Sequence, residues 1–391
     1  MPKVFTGTLR PNEIFSAIYN MIISQDVAAD NIKGTYSKLV EHFRVDGTMY
    51  GDTKLYYATD ALESVTWLND AEAKNLLELH RPEPPKCQAI TISNFRQIRV
   101  TVDEYLSKRA WSTEGAFSTF NGVIRGWVRD TKRVYDSRLV NVFIGTTRTE
   151  IGNQNIDVNI TAAIDGLTGE DKNRVRAQTI AQAIADLYDN LNDTTRDYND
   201  YGFLRSYEDS DVICIMNTKW LNQILKIDLP TIFNQEGLKD KMGEYKLPAR
   251  YFGEVITAST YASYKDSASG SAGKPIDKDG KYAPGDSHVN GTLRTTVEMD
   301  CTVGGVTKHL FPGDELLTGA TVSSATPNVY IEDGDIICKV IHTRSVPFMS
   351  AFEVGTSFYN PRSLTETQFL TWGYSDLDYL ADKPFITLNA E

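Results

Sequence analysis

Cysteine is scarce in this chain, and its spacing excludes the common zinc and redox motifs. The four cysteines, Cys87, Cys214, Cys301 and Cys338, lie far apart and form no C-x-x-C pair. Isolated cysteines are typical of proteins made in a reducing compartment, whereas small secreted proteins carry dense disulfide frameworks. We therefore predict four reduced thiols in a protein that is made in a cytoplasm.

Positive charge and long apolar runs are also lacking. The 40 Lys and Arg residues are outnumbered by 52 Asp and Glu residues, which gives a net charge of −12. This balance argues against a surface devoted to binding phosphates, so any contact with nucleic acid must be local. No apolar run approaches the ~18 residues that span a bilayer, and the first residues carry no basic and apolar leader. We expect a soluble protein that is not secreted by that route.

Motifs for catalysis, nucleotide binding and metal binding are absent from the sequence. It contains no G-x-S-x-G elbow and no H-E-x-x-H pair. The segment GSAGKP lacks the serine or threonine of a phosphate loop, and DKDGK departs from the calcium-loop pattern, so we interpret both as loops or turns. We predict no catalytic, cofactor-binding or metal-binding residues and no cofactor. The abundant carboxylates leave one alternative open, an acidic pair that meets only in the folded chain. The histidines, which we interpret as surface or packing residues, are His42, His80, His288, His309 and His342.

The sequence does contain a mixed α+β pattern with enough apolar residues for a real core. The apolar fraction is 41% over 391 residues, which suffices for one large domain or two to three ordinary ones. Apolar residues at helical spacing predict a helix over 113–143, ~45 Å long at 1.5 Å per residue. A second helix begins after the candidate N-cap Thr168, with Asp171 three residues on. The strand DVICIMN, the helix TKWLNQIL and the strand YFGEVIT follow, and this alternation indicates a compact α/β lobe.

Residues 48–100 predict a long, hairpin-like excursion. TKLYYATDALESV and CQAITISNFRQIRV are rich in β-branched and aromatic residues, and a charged span closed by HRPEPPKC lies between them. We expect almost no core of its own in this excursion. A two-stranded ribbon is marginal in water by itself, so another surface must lie against it.

The last third of the chain changes character twice. Residues 258–328 have few large apolar groups at first and weak strand patterns later, which predicts a loop-rich surface insertion. Residues 347–391 are rich in strand patterns, and their apolar parity switches once, which predicts a strand with a bulge. The alternating residues are Leu370, Trp372 and Tyr374 before the switch and Leu377 and Tyr379 after it.

A basic stripe lies on the long predicted helix, opposite its apolar residues. It consists of Arg125, Arg129, Lys132 and Arg133. One interpretation is a solvated helix face whose cations pair with acidic neighbours. The other is a weak, salt-sensitive and sequence-independent contact with nucleic acid, which would suit a wall facing DNA.

The order of these elements resembles the major capsid proteins of tailed phages with the Hong Kong 97 type fold. An arm, an extended two-stranded loop, a long helix, a separate α/β lobe and a strand-rich return to the helix follow one another here. The local sequence is similar to shell proteins of small short-tailed phages, the podoviruses of the Picovirus-like group. The counterparts of their segments are residues 139–145, DVICIMNTKWLNQI at 211–224 and the NPRS stretch with its tryptophan at 360–372.

The resemblance implies an α+β fold of the Hong Kong 97 type and a structural role. The chain would be a non-catalytic shell protein that self-assembles into the pentamers and hexamers of an icosahedral phage head enclosing double-stranded DNA. The implied divisions are an N-arm at 1–47, an extended E-loop at 48–100, a P-domain with its spine helix at 101–165, an A-domain at 166–346 that includes the insertion 258–328, and closing P-domain strands at 347–391.

The resemblance also supplies a partner surface for the extended loop, which would lie on a neighbouring subunit. Aromatic residues on a ribbon that is poor in core need such a surface. We therefore predict that inter-subunit contacts involve Tyr56, Tyr57, Trp67, Pro84 and Pro85. The stripe of Arg125, Arg129, Lys132 and Arg133 would face the packaged DNA and contact it weakly.

Further partners follow from the same resemblance, namely scaffolding, portal and head-fibre proteins, with no membrane involved. The protein would be made and assembled in the bacterial cytoplasm and then reside in the virion. Two alternatives remain open at this point. One is a cytoplasmic enzyme with a carboxylate site in the α/β lobe. The other is a virion-surface or cell-surface binding protein that uses the 258–328 insertion.

Overall fold

The computed structural model is a mixed α+β protein with several sheets and few helices in its described residues. Those residues are 37–45, 51–64, 66, 79, 81–103, 114–149, 151–225, 242–257, 292–317, 322 and 325–391, with the side chains of 37, 114–125 and 351–354 left out. The helices are α1 (Ser37–Phe43), α2 (Glu114–Thr146), α3 (Ile160–Ala163), α4 (Gly169–Asn192) and α5 (Thr218–Leu225). The strands are β1 (Arg44–Val45), β2 (Thr53–Ala58), β3 (Lys86–Asp103), β4 (Asn155–Val158), β5 (Val212–Asn217), β6 (Tyr245–Leu247), β7 (Gly253–Val255), β8 (Leu293–Thr295), β9 (Met299–Val303), β10 (Val306–Leu310), β11 (Val329–Glu332), β12 (Ile336–His342), β13 (Phe348–Asn360), β14 (Thr365–Ser375) and β15 (Phe385–Ala390).

The chain divides into two compact units, and the larger contains Lys38–Asn94, Ser137–Phe352 and Gly373–Glu391. Its main sheet has the strand order β4-β15-β12-β5-β6. The central strand β12 is antiparallel to β15 and β5, while the outer strands β4 and β6 pair in parallel with their neighbours. Every residue of β12 is buried, as expected for a strand that is covered on both faces.

Helices α4 and α5 form the main core of this unit together with the sheet. The apolar stripe of α4 includes Ile180, Ile184 and Leu187, and it packs with Cys214 and Met216 of β5. The sequence prediction of this helix is confirmed, and Thr168 is its N-cap residue, but the Thr168 side chain makes no capping hydrogen bond. Glu170 and Asp171 in the first turn place negative charge near the positive end of the helix dipole instead.

A smaller sheet joins β8, from the second half of the predicted insertion, to strands on either side of the insertion. Its order is β7-β11-β8, and β11 is antiparallel to both neighbours. Ile256, Val329 and Ile331 form its apolar core. Strands β9 and β10 pair antiparallel as a separate hairpin. The segments GSAGKP and DKDGK lie outside the described residues.

A second five-stranded sheet has the order β1-β13-β14-β3-β2. Strand β1 is parallel to β13, and β2 is antiparallel to β3, as the hairpin-like pattern predicted. The predicted bulge is wrong, because β14 ends at Ser375 and no strand follows until β15. Acidic side chains turn the chain there: the carboxylate of Asp376 accepts a hydrogen bond from Asn94, and that of Asp378 accepts one from Gln88.

The smaller unit contains Phe95–Asp136 and Glu353–Trp372. Within it, the buried Trp372 contacts Tyr135 of α2 edge to face, with ring centroids 5.9 Å apart. The guanidinium carbon of Arg96 also lies over the Tyr135 ring, 5.3 Å from the ring centroid. Trp372 of β14 therefore packs against the long helix.

The long helix α2 spans 33 residues and closely matches the predicted range 113–143. Near its C-terminal end it approaches the turn at Tyr251 so closely that only glycine fits at position 145. A Cβ atom placed on Gly145 would lie 2.1 Å from the Tyr251 carbonyl oxygen. Gly126, in the same helix, has open space around it.

These two glycines give a matched test of the close approach. We expect Gly145→Ala to destabilise the subunit by about 3 kcal/mol, because an overpacked contact with backbone must displace the helix. Gly126→Ala should be neutral or stabilise by up to about 1 kcal/mol, since alanine favours the helix. Urea unfolding of the unassembled subunit measures both. Equal effects of the two substitutions would contradict the close packing at Tyr251.

Candidate functional site

An exposed apolar patch covers one face of the β2–β3 ribbon. Strand residues alternate between faces, and Leu55 and Tyr57 of β2 both point to solvent, with 53% and 65% of their surfaces exposed. They lie opposite Ala89 and Cys87 of β3, which are also exposed. Directly opposed side chains of antiparallel strands are about 5 Å apart, so the four form one surface. We call Leu55, Tyr57, Cys87 and Ala89 the ribbon patch.

The other face of the ribbon is packed within the larger unit. Ile90 and Ile92 of β3 are buried with Met349 and Leu380, and Tyr56 packs against them. Burial raises the pKa of the Tyr56 hydroxyl above its ordinary value. The expectation that another surface must lie against the ribbon is confirmed for this face, which Met349 and Leu380 of the same subunit cover.

The predicted contact residues of the extended loop separate in the structure. Tyr57 is exposed in the ribbon patch, whereas Tyr56 points to the packed face. Pro84 and Pro85 are exposed beside the start of β3. Trp67 lies outside the described residues. Sequence reasoning missed Leu55, although its alternation with Tyr57 was the signal that could have found it.

Two cations of the predicted basic stripe pair with acidic residues of the same helix, α2. Lys132 donates to Asp136, one turn on, with its Nζ atom 2.9 Å from the carboxylate. Arg133 lies 4.0 Å from Asp130 and is largely exposed. Arg129 is exposed as well, and the side chain of Arg125 lies outside the described residues. Arg129 and Arg133 are therefore the described members of the stripe that face solvent.

A pocket of about 400 Å³ lies beside strand β2 of the ribbon, next to Tyr56 and Tyr57. Its wall combines acidic and basic groups in equal number, and its lining includes no serine, threonine or cysteine. The lining residues are Tyr56, Tyr57, Asp211, His342, Arg344, Leu380, Asp382 and Lys383. Within the described residues, no cluster of three or more His, Cys, Asp or Glu side chains has the arrangement of a metal site.

His342 is the buried titratable group of this pocket. Its Nδ1 atom accepts a hydrogen bond from the Arg344 N–H at 2.9 Å, and its ring contacts Tyr207 edge to face. Burial lowers the pKa of His342 to about 4, with Lys383 and Arg344 acting in the same direction. Asp211 and Asp382 oppose this shift only in part. The imidazole is consequently neutral near pH 7.

Lys339 is a fully buried lysine that sequence reasoning also missed. Its Nζ atom donates to the Thr147 carbonyl at 2.8 Å and to the Thr387 hydroxyl at 2.7 Å. Burial lowers the pKa of its amine well below the ordinary value, and Arg148 adds to the effect. The signal in the sequence was a single lysine inside the apolar strand IICKVIH.

The four cysteines are unpaired, as predicted, with Cys87 exposed and the other three buried. No helix in the described part of the chain is both long and apolar enough to cross a bilayer.

Comparison with known proteins places most of the chain in one family. A family model described as Phi29-like phage major capsid protein matches residues 8–374. The capsid structure of Staphylococcus phage Andhra superposes with a TM-score of 0.57 at 9% identity, over 89% of this chain and 83% of that chain. A chain from the structure of head fiber and inner core protein gp22 of native bacteriophage P68 gives 0.58 at 10% identity, over 100% and 88% of the two chains. At such identities these two likenesses concern the fold alone. No curated protein matches the chain.

The lowered pKa of His342 predicts a loss of stability in acid. Between the folded pKa of about 4 and the unfolded value of about 6.5 the unfolded chain binds more protons, so stability falls as the pH falls through this window. We expect His342→Asn, which keeps an acceptor for the Arg344 N–H, to reduce the loss between pH 7 and pH 4 by up to about 3 kcal/mol.

His309 is the matched control for this measurement. Hydrogen bonds to Asp300 and Glu298 raise the pKa of His309, so its contribution is present in acid and is lost as the pH rises. His309→Asn should therefore leave the acid loss in place or increase it. Denaturant unfolding at pH 7 and pH 4 compares the variants, and an unchanged acid loss in His342→Asn would contradict the assignment.

Proposed function

The chain belongs to the Phi29-like phage major capsid protein family, and we propose that its copies join through the ribbon patch into the pentamers and hexamers of an icosahedral head. Its function is that of a structural shell protein. The proposal extends this function to a fold of the Hong Kong 97 type, a non-catalytic role and a head that encloses double-stranded DNA. The divisions at 1–47, 48–100, 101–165, 166–346 and 347–391 are part of the same proposal.

One observation carries the assembly proposal, the unequal covering of the two ribbon faces. The face with Tyr56 is packed against Met349 and Leu380 in the same subunit, while the face with Leu55 and Tyr57 is open to solvent. Contiguous exposed apolar groups of this kind are typical of protein–protein contacts. Because a closed symmetric assembly repeats each contact many times, a small patch on each subunit is sufficient.

A weak contact with packaged DNA is the second part of the proposal. The exposed guanidinium groups of Arg129 and Arg133 supply a local, sequence-independent attraction for phosphates. The net charge of −12 keeps that attraction weak over the rest of the protein. On family membership we further propose scaffolding, portal and head-fibre proteins as partners, and assembly in the bacterial cytoplasm.

The ribbon patch is tested by removing its apolar groups. We expect the double substitution Leu55→Ser, Tyr57→Ser to leave the subunit folded and to abolish closed shells, because the contact between subunits loses its apolar area. Light scattering and negative-stain electron microscopy of the expressed full chain measure the particles, and circular dichroism measures the fold.

The control for this test is Val306→Ser, which removes another exposed apolar group, 65% exposed, from the separate β9–β10 hairpin. It should assemble as the unmodified protein does. Normal shells from the Leu55→Ser, Tyr57→Ser protein would show that the patch is not a subunit contact.

The basic stripe has its own test, charge reversal at Arg125 and Arg129. If these residues face DNA, the double substitution to glutamate should leave empty shells intact and lower the affinity of isolated subunits for duplex DNA about tenfold at low salt, since phosphate contacts are few. Arg174→Glu on α4, where Arg174 pairs with Asp171, reverses one charge elsewhere and is the control for added negative charge. Lost assembly would instead identify the stripe as a structural ion-pair surface.

A further inference from the structure

The extended loop between β2 and β3 leaves and re-enters the sheet at one point. The last residue pair of the ribbon is Ala58 with Lys86, so the two ends of the loop stand side by side. We call residues 59, 60 and 86 the neck. The loop 195–205, far away in sequence, contacts both sides of the neck, and we call it the grip loop.

The outgoing side of the neck is held by hydrogen bonds to its backbone and to one carboxylate. Arg205 donates to the Thr59 carbonyl at 2.7 Å. The carboxylate of Asp60 accepts from Arg196 at 2.5 Å and from the Leu204 N–H at 2.8 Å. These bonds, with that from Arg196 the largest influence, lower the pKa of Asp60 to about 2. The carboxylate is therefore ionised at every pH at which the protein is expected to assemble.

The returning side of the neck is held by a cation over aromatic rings. The Lys86 ammonium lies 4.7 Å from the Tyr201 ring centroid and 5.3 Å from that of Phe203. The two rings contact each other with centroids 5.4 Å apart. Contacts of this kind attract the cation, so they hold the first residue of β3 against the grip loop.

The grip loop is closed by hydrogen bonds of its own. Thr195 and Arg205 exchange two backbone hydrogen bonds of 2.9 Å. The buried Asn199 side chain bonds both the N–H and the carbonyl of Phe203, at 2.8 and 2.7 Å. Gly202 takes a positive φ of 65°, a conformation that glycine adopts without strain. A loop closed by its own bonds can hold the neck in one direction.

We propose that Asp60 and Lys86 are positioning residues, held by the grip loop so that the extended loop leaves each subunit in the one direction that closes a shell. The inference rests on the proposed function of the ribbon as a subunit contact. A neck fixed before assembly reduces the freedom that is lost when subunits join. Because the contact repeats in every subunit, a small error in direction accumulates around the shell.

The test uses the full chain with four variants. Asp60→Ala with Lys86→Ala removes both side-chain holds and leaves the Arg205 bond to the Thr59 carbonyl. Lys86→Ala alone removes one exposed side chain. Lys86→Arg retains a cation over the rings and is the conservative rescue. Asp171→Ala, which breaks the exposed Arg174–Asp171 pair on α4 at 3.2 Å, is the matched control.

We expect the double variant to fold but to give about tenfold fewer closed shells, with open sheets or isolated rings in their place. Lys86→Ala should show the same direction of change, while Lys86→Arg and Asp171→Ala should assemble normally. Amide hydrogen exchange at residues 59–61 should rise in the double variant, a readout that a general loss of stability would not confine to the neck.

Normal shells from both alanine variants, or unchanged exchange at residues 59–61, would overturn the inference. If the double variant does not fold, Lys86→Ala decides, and normal closure in that variant also overturns the inference. Absence of shells from the unmodified chain would count against the proposed function itself, whereas normal shells from every variant would count against the positioning role alone.

Discussion

The hydrogen bonds of buried Lys339 connect the end of the long helix to the centre of the main sheet. A helix that ends inside a protein leaves carbonyl oxygens without partners unless another group donates to them. Lys339 on β12 donates to the Thr147 carbonyl, just past the last residue of α2, and to Thr387 on β15. An amine that has lost its proton still has two N–H groups, as many as these acceptors. Burial, which lowers the pKa of Lys339, is therefore compatible with both bonds.

An ion pair at the same place also holds the helix end. Arg148 donates to Asp333 at 2.9 Å, in the turn that leads into β12. The helix end, the turn and the central strand thus share one polar cluster. Since unpaired groups at such a buried place are costly, the cluster favours one arrangement of helix and sheet over its alternatives.

This fixed body explains how a subunit can carry an uncovered apolar surface. The ribbon packs one face on Met349 and Leu380 and leaves the other face to solvent, while its neck is held by the grip loop. A patch on a firmly held element can contact a neighbour without first being ordered. The acidic net charge limits association by charge attraction, so directed apolar contacts are the surfaces that suit a regular shell.

The sequence by itself determined the elements and the family, because both depend on local patterns and their order. Apolar periodicity located α2, α4, β5 and α5 within a few residues, and period-two alternation located the ribbon. The order of these elements was enough for the resemblance to phage shell proteins. The neck contacts, by contrast, join residues such as Asp60 and Arg196 that are far apart in the chain, and no local pattern indicates them.

Only the tertiary structure decided which face of each element is covered. Alternation shows that Tyr56 and Tyr57 point in opposite directions, but Met349 and Leu380, from the far end of the chain, determine that Tyr56 is the packed one. The same applies to Lys339, whose burial depends on strands β5 and β15 lying on either side of β12. The switch of parity after Tyr374 had the form of a bulge, yet hydrogen bonds from Gln88 and Asn94 to Asp378 and Asp376 turn the chain out of the sheet. Periodicity shows which residues share a face of a strand. Long-range contacts determine which of the two faces is buried.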